Sequence, residues 1–124
     1  MERPGVFIVS ANEAVRDSTR QLVEAAGLQA ETFASMQVFI DTVAQGRQGC
    51  LLLDACQDDL IDPLMQTRLA AAFERMPGLL LTDRGDVTMA VLALKAGAMD
   101  VVQKPFSNDN LLGRIKHALL CARA

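Results

Sequence analysis

Four short apolar runs set the frame of this 124-residue chain: Val6 to Val9, Cys50 to Leu53, Leu79 to Leu81 and Val101 to Val102. None alternates with polar residues, and each is bounded by turn-forming or charged ones. Runs of this kind suit strands covered on both faces, as in a parallel sheet. A fifth segment, Gln29 to Phe33, does alternate and reads as an edge strand with one wet face. The starts fall about 20 to 30 residues apart, room for a crossover helix and two turns each time. The expected architecture is therefore α/β, five βα units wound on both sides of one parallel sheet.

The intervening segments carry helix signals. Asp86 reads as an N-cap before Val87, Ala90, Val91 and Leu94, spaced i, i+3, i+4, i+7, with Lys95 and Gly97 closing the helix. Leu111, Leu112, Ile115 and Leu119 form a stripe after a polar cap region at Ser107 to Asn110. Asp62 caps a helix that begins at Pro63, where the missing N–H costs nothing. The first two helices are expected over Glu13 to Ala26 and Met36 to Ala44, with Gly27 and Gly46 as stops. The length accommodates one domain, residues 1–124, without room for a second.

Composition narrows the function classes. Twelve Lys and Arg against fifteen Asp and Glu give a net charge of −3, the wrong sign for a domain that lies along phosphate backbones. Direct nucleic-acid contact is not expected. The apolar stretches fall far short of the ~20 residues that span a bilayer. No signal-peptide pattern opens the chain, and Cys50, Cys56 and Cys121 lack the spacing of a disulfide framework or zinc site. A cytoplasmic protein with reduced thiols is expected.

Doubly wound sheets gather their sites at the carboxyl ends of the strands. There the sequence places Ser10, Ala11, Asn12 and Glu13, then Asp54, then Thr82 and Asp83, then Lys104 and Pro105. An acid, a hydroxyl and an ammonium at neighbouring strand tips suit phosphoryl transfer to a carboxylate. Asp54 attacks phosphorus, while Lys104 and Thr82 hold phosphoryl oxygens. The plainer alternative is an Asp54–Lys104 salt bridge closing the rim, with Thr82 hydrogen-bonded in the turn before Asp86.

The ordered set Asp54, Leu-Leu-Thr82-Asp-Arg-Gly-Asp, Lys95-Ala-Gly97-Ala-Met-Asp100 and Lys104-Pro105-Phe106 resembles the receiver domain of bacterial two-component response regulators, of the FixJ-like kind. The resemblance spans nearly the whole chain. It implies a flavodoxin-like (βα)5 fold with strand order 2-1-3-4-5 and Asp54 as the residue that accepts a phosphoryl group from a sensor histidine kinase. It also implies a signalling module rather than an enzyme, with a response carried by the fourth helix, fifth strand and fifth helix. A homodimer through that face is expected, and a cis Lys104-Pro105 bond.

The sequence departs from the family at decisive positions. Receivers follow the first strand with an acidic pair that holds Mg²⁺; here the matching residues are Ser10 and Ala11, so Asp54 alone remains as a metal ligand. At ~4 Å and an effective dielectric of ~20, each carboxylate–divalent attraction is about 8 kcal/mol gross. Even if dehydration cancels nine-tenths, two lost carboxylates remove ~1.5 kcal/mol, about tenfold in affinity. Mg²⁺ binding is expected to be weak or absent. Asp58 and Asp59 read as a solvated turn, Cys56 as a packed thiol and His117 as a surface residue. Where receivers carry a switching Phe or Tyr beside the Thr82 position stands Val101, whose branched side chain has one dominant χ1 state and no lever to swing. A phosphorylation-independent interaction module is the alternative function.

Overall fold

In the computed structural model, residues 5–43, 47–54, 62–83 and 85–122 are described. Strands and helices alternate along them: β1 (Gly5–Ser10), α1 (Glu13–Ala25), β2 (Gln29–Phe33), α2 (Met36–Thr42), β3 (Gly49–Asp54), α3 (Pro63–Arg75), β4 (Gly78–Thr82), α4 (Val87–Lys95), β5 (Asp100–Gln103) and α5 (Asn108–Ala122). All strand pairs are parallel, in the order β2-β1-β3-β4-β5. This is the expected doubly wound, flavodoxin-like sheet.

Each central strand feeds two cores because successive side chains point to opposite faces. Phe7 and Val9 of β1, Leu51 and Leu53 of β3 and Leu80 of β4 pack under α2, α3 and α4, against Phe39, Leu69, Phe73 and Met89. Val6, Ile8, Cys50, Leu52, Leu79 and Leu81 face the other way, against Val23 of α1 and Leu111, Ile115 and Ala118 of α5. Two-sided burial is why these runs are apolar without alternation. The outer strand β2 does alternate, from exposed Gln29 to buried Phe33.

The caps follow local chemistry. The Asp62 carboxylate accepts from the Leu64 N–H at 3.0 Å ahead of Pro63. Asp86 accepts from the Met89 N–H at 3.1 Å, and Ser107 accepts from the Asn110 N–H at 3.1 Å at the head of α5. Gly97 turns the chain after α4 at φ 107°, a region that side chains with a Cβ avoid. The cap of α2 is Ser35, whose hydroxyl accepts from the Val38 N–H at 3.2 Å; the sequence reading did not identify it. Helix α2 ends at Thr42, short of Ala44, and Gly46 lies outside the described residues.

One helix presents a different face from the one its spacing suggested. In α4 the buried residues are Met89 and Ala93, whereas Val87, Val91 and Leu94 are 67%, 43% and 53% exposed. The segment is apolar almost all round, so several i, i+4 stripes compete and periodicity cannot choose between them. In α5, likewise, Ala118 is buried while Leu112 is only half-buried.

Cys50 sits wholly inside the sheet, and burial pushes its thiol up to about 12, well away from reactive thiolate. Cys121 is exposed, and Cys56 lies outside the described residues. No helix among the described residues is long and apolar enough to cross a membrane.

Two glycines provide a contrast in packing. A Cβ on Gly49 falls 2.1 Å from the Gly5 carbonyl oxygen on the neighbouring strand, whereas one on Gly113 in α5 meets nothing within 4 Å. Gly49→Ala is expected to lower stability by roughly 2–3 kcal/mol. Gly113→Ala should raise it by roughly 0.5–1 kcal/mol through helix propensity. Urea unfolding midpoints check both, and equal effects at the two positions contradict the assigned packing.

Candidate functional site

The parallel register brings strand tips together. Ser10 ends β1 directly opposite Asp54, which ends β3. Thr82 ends β4 beside β5, and the Lys104 N–H donates to the Thr82 carbonyl at 2.8 Å. The Lys104-Pro105 peptide bond is cis, as expected. Lys104 stands just past the end of β5, and its Nζ reaches Asp54 at the end of β3.

At this rim the Asp54 carboxylate is held from two sides. Its Oδ1 accepts from Lys104 Nζ at 2.8 Å, and its Oδ2 accepts from the Ser10 hydroxyl at 2.9 Å. The Ser10 oxygen in turn accepts from the Asn12 N–H at 3.1 Å, while the Ser10 carbonyl accepts from Arg16 Nη1 at 2.7 Å. Ser10 is 1% exposed, so this hydroxyl is a buried polar group with both its donor and acceptor roles filled. Charge-assisted bonds of this length are the strong class.

Thr82 is different. It is 3% exposed, and its Oγ1 has no hydrogen-bond partner among the described residues. A buried unpaired hydroxyl is costly and calls for an explanation. The expected alternative, a Thr82 side chain bonded within the turn before Asp86, is not seen among the described residues, where the Asp86 N–H donates to the Asp83 carbonyl at 3.2 Å. The other alternative, an Asp54–Lys104 salt bridge at the rim, is present alongside the clustering of the three residues.

Ser10, Asp54, Thr82 and Lys104 line one cavity of about 440 Å³, with Met36 and Leu69 on its apolar wall. Ala11 also lines it and brings only a methyl group. The Asn12 side chain, placed at this rim by sequence, caps α1 by accepting from the Ala14 N–H at 2.9 Å. Among the described residues no group of three or more His, Cys, Asp or Glu side chains stands close enough to hold a metal ion. Asp58 and Asp59 lie outside the described residues. Val101 is half-buried and packs against the core cluster that holds Leu80 and Met89. His117 is exposed on α5, as expected.

Sequence reasoning treated Ser10 only as a lost acid. The register signal that reveals its contact is that Ser10 and Asp54 are each the last residue of adjacent strands.

An acid, a hydroxyl and a lysine converging at the carboxyl edge of a five-stranded 2-1-3-4-5 sheet define a receiver-type domain. Residues 6–116 match the response regulator receiver domain, and the chain belongs to that family. It is 38% identical over 117 residues to the response regulator protein TmoT of Ectopseudomonas mendocina, covering 94% of this chain and 53% of that protein. It is 32% identical over 114 residues to the transcriptional regulatory protein FixJ of Bradyrhizobium diazoefficiens, covering 92% and 56%. Among solved structures, FixJ-N superimposes with a TM-score of 0.83 at 30% identity, covering 97% of this chain and 96% of that one. The response regulator StyR gives 0.83 at 33% identity, covering 98% and 62%. The chain thus spans about half the length of the curated relatives it matches. It is a receiver domain of a two-component response regulator, and receiver domains interact with sensor histidine kinases and usually bind Mg²⁺. Nothing in these comparisons supports a module that works without phosphorylation.

Proposed function

We propose that this receiver domain accepts a phosphoryl group on Asp54 from a sensor histidine kinase. The observation that carries the reading is the buried Thr82 hydroxyl, without a partner among the described residues, in one cavity with a carboxylate already paired with Lys104. Asp54 Oδ1 attacks phosphorus as the P–N bond to the kinase imidazole breaks and its electrons leave with the ring. Lys104 and Thr82 then donate to phosphoryl oxygens, which gives Thr82 a partner that it lacks among the described residues. Phosphoryl transfer asks little covalent chemistry of a protein beyond such positioning and charge stabilisation. The domain acts as a signalling module rather than an enzyme, in the cytoplasm, without itself touching nucleic acid.

In this reading Mg²⁺ is held weakly or not at all. Magnesium wants near-octahedral oxygen ligation and one or two carboxylates. Asp54 is the carboxylate that remains at the paired tips of β1 and β3, and both its oxygens are engaged by donors. Ser10 offers a neutral hydroxyl already committed to Asp54, and Ala11 offers no ligand atom. The described residues at this rim do not fit the ion.

The output face is α4, β5 and α5. Val87, Val91 and Leu94 form an exposed apolar stripe there, and Val101 in β5 takes the place of a larger switch residue. A second copy of the chain is the proposed occupant of this face. Apolar surface on a helix with the single charge Lys95 favours a partner with the same apolar stripe.

Acetyl phosphate followed by intact mass measurement is expected to add one phosphoryl group to the wild type and none to Asp54→Asn; an adduct that survives Asp54→Asn contradicts the reading. Ser10→Asp with Ala11→Asp should tighten Mg²⁺ binding about tenfold or more by calorimetry, and wild-type binding as tight as that of the double variant contradicts it. Sedimentation should show self-association that Leu94→Glu abolishes. A protein that stays monomeric at high concentration, with and without acetyl phosphate, removes the dimer.

A further inference from the structure

We infer that the Ser10 hydroxyl is a positioning residue that replaces the divalent metal, so that Asp54 takes its phosphoryl group at the same rate with or without Mg²⁺. The inference rests on Asp54 being the acceptor and deepens that reading.

The two oxygens of Asp54 are chemically distinct. Oδ1 faces Lys104, on the β4–β5 side where the Thr82 hydroxyl has no partner among the described residues. Oδ2 is clasped from the β1 side by Ser10. Donors for an incoming phosphoryl group are therefore gathered around Oδ1, and Oδ1 is the attacking atom. Oδ2 becomes the carbonyl oxygen of the acyl phosphate and keeps its hydrogen bond from Ser10 throughout.

That hydrogen bond fixes the carboxylate plane. The Ser10 hydroxyl is itself pinned, because its oxygen accepts from the Asn12 N–H at 3.1 Å and its residue is almost wholly buried. The Arg16 guanidinium on the Ser10 carbonyl at 2.7 Å ties the same strand end to α1. A metal in this position performs two tasks: it orients the carboxylate, and it offsets negative charge as phosphate arrives. Ser10 supplies the first. Lys104 supplies the second without having to balance the further acids of an acidic pair, since positions 10 and 11 carry none.

With acetyl phosphate the reaction balances without an added reactant. The Asp54 Oδ1–phosphorus bond forms, the phosphorus–oxygen bond to the acetyl group breaks, and acetate departs with the electron pair; no proton has to move.

The test is the initial rate of adduct formation from acetyl phosphate, in excess Mg²⁺ and in excess chelator, read by intact mass. Wild type should show a rate ratio within about twofold of unity. Ser10→Ala should be about tenfold slower in both conditions, the loss expected of one hydrogen bond to a charged oxygen. Ser10→Thr keeps the hydroxyl and should recover most of that loss, while Ser10→Asp with Ala11→Asp should become metal-dependent. Circular dichroism and urea midpoints establish that each variant is folded. A wild-type rate that rises tenfold with Mg²⁺ overturns the inference while leaving Asp54 as acceptor. So does a folded Ser10→Ala that reacts as fast as wild type, or a folded Ser10→Thr as slow as Ser10→Ala. No adduct in any condition removes the acceptor reading, and the inference with it.

Discussion

The carboxylate of Asp54, held between an ammonium and a hydroxyl, is the interaction on which the organisation of this domain's working edge depends. A carboxylate largely shielded from water is tolerated only when its charge is matched and its lone pairs are bonded. Lys104 at 2.8 Å and Ser10 at 2.9 Å meet both conditions. An acidic pair at positions 10 and 11 would add two further negative charges within a few ångströms and call for a cation. With Ser10 and Ala11 the cluster closes on its own residues.

The fold makes that closure possible by register alone. Parallel pairing sets Ser10 opposite Asp54, and the bond from the Lys104 N–H to the Thr82 carbonyl sets the lysine at the end of the next pair. Two cores, one on each side of the sheet, hold the strands rigidly enough for such placement. Phe7, Leu51 and Leu80 serve one core, and Ile8, Leu52 and Leu81 the other. Thr82 is the member left unsatisfied, buried and without a partner among the described residues.

How much of this was legible beforehand follows from what each signal measures. The two-faced strand runs reported the sheet because an unalternating apolar run of four residues has few uses besides a doubly covered strand. Asp62-Pro63 and Asp86 reported helix starts because capping is local chemistry. The buried face of α4 was not legible, since Met89, Val91, Ala93 and Leu94 are all apolar and only tertiary packing selects Met89 and Ala93. Asp54, Thr82 and Lys104 were found together because strand ends converge in this architecture. The part played by Ser10 was missed, because comparison with a family pattern shows what a residue lacks, whereas its contact with Asp54 depends on register between strands 44 positions apart in sequence.

The most direct measurement is a double-mutant cycle between Asp54→Asn and Lys104→Met, taken from urea unfolding in chelator and again in excess magnesium. A self-contained clasp predicts a favourable coupling of about 1 kcal/mol that magnesium leaves unchanged. A coupling near zero in chelator, or one that disappears when magnesium is added, would show that the carboxylate belongs to a metal site and contradict the account.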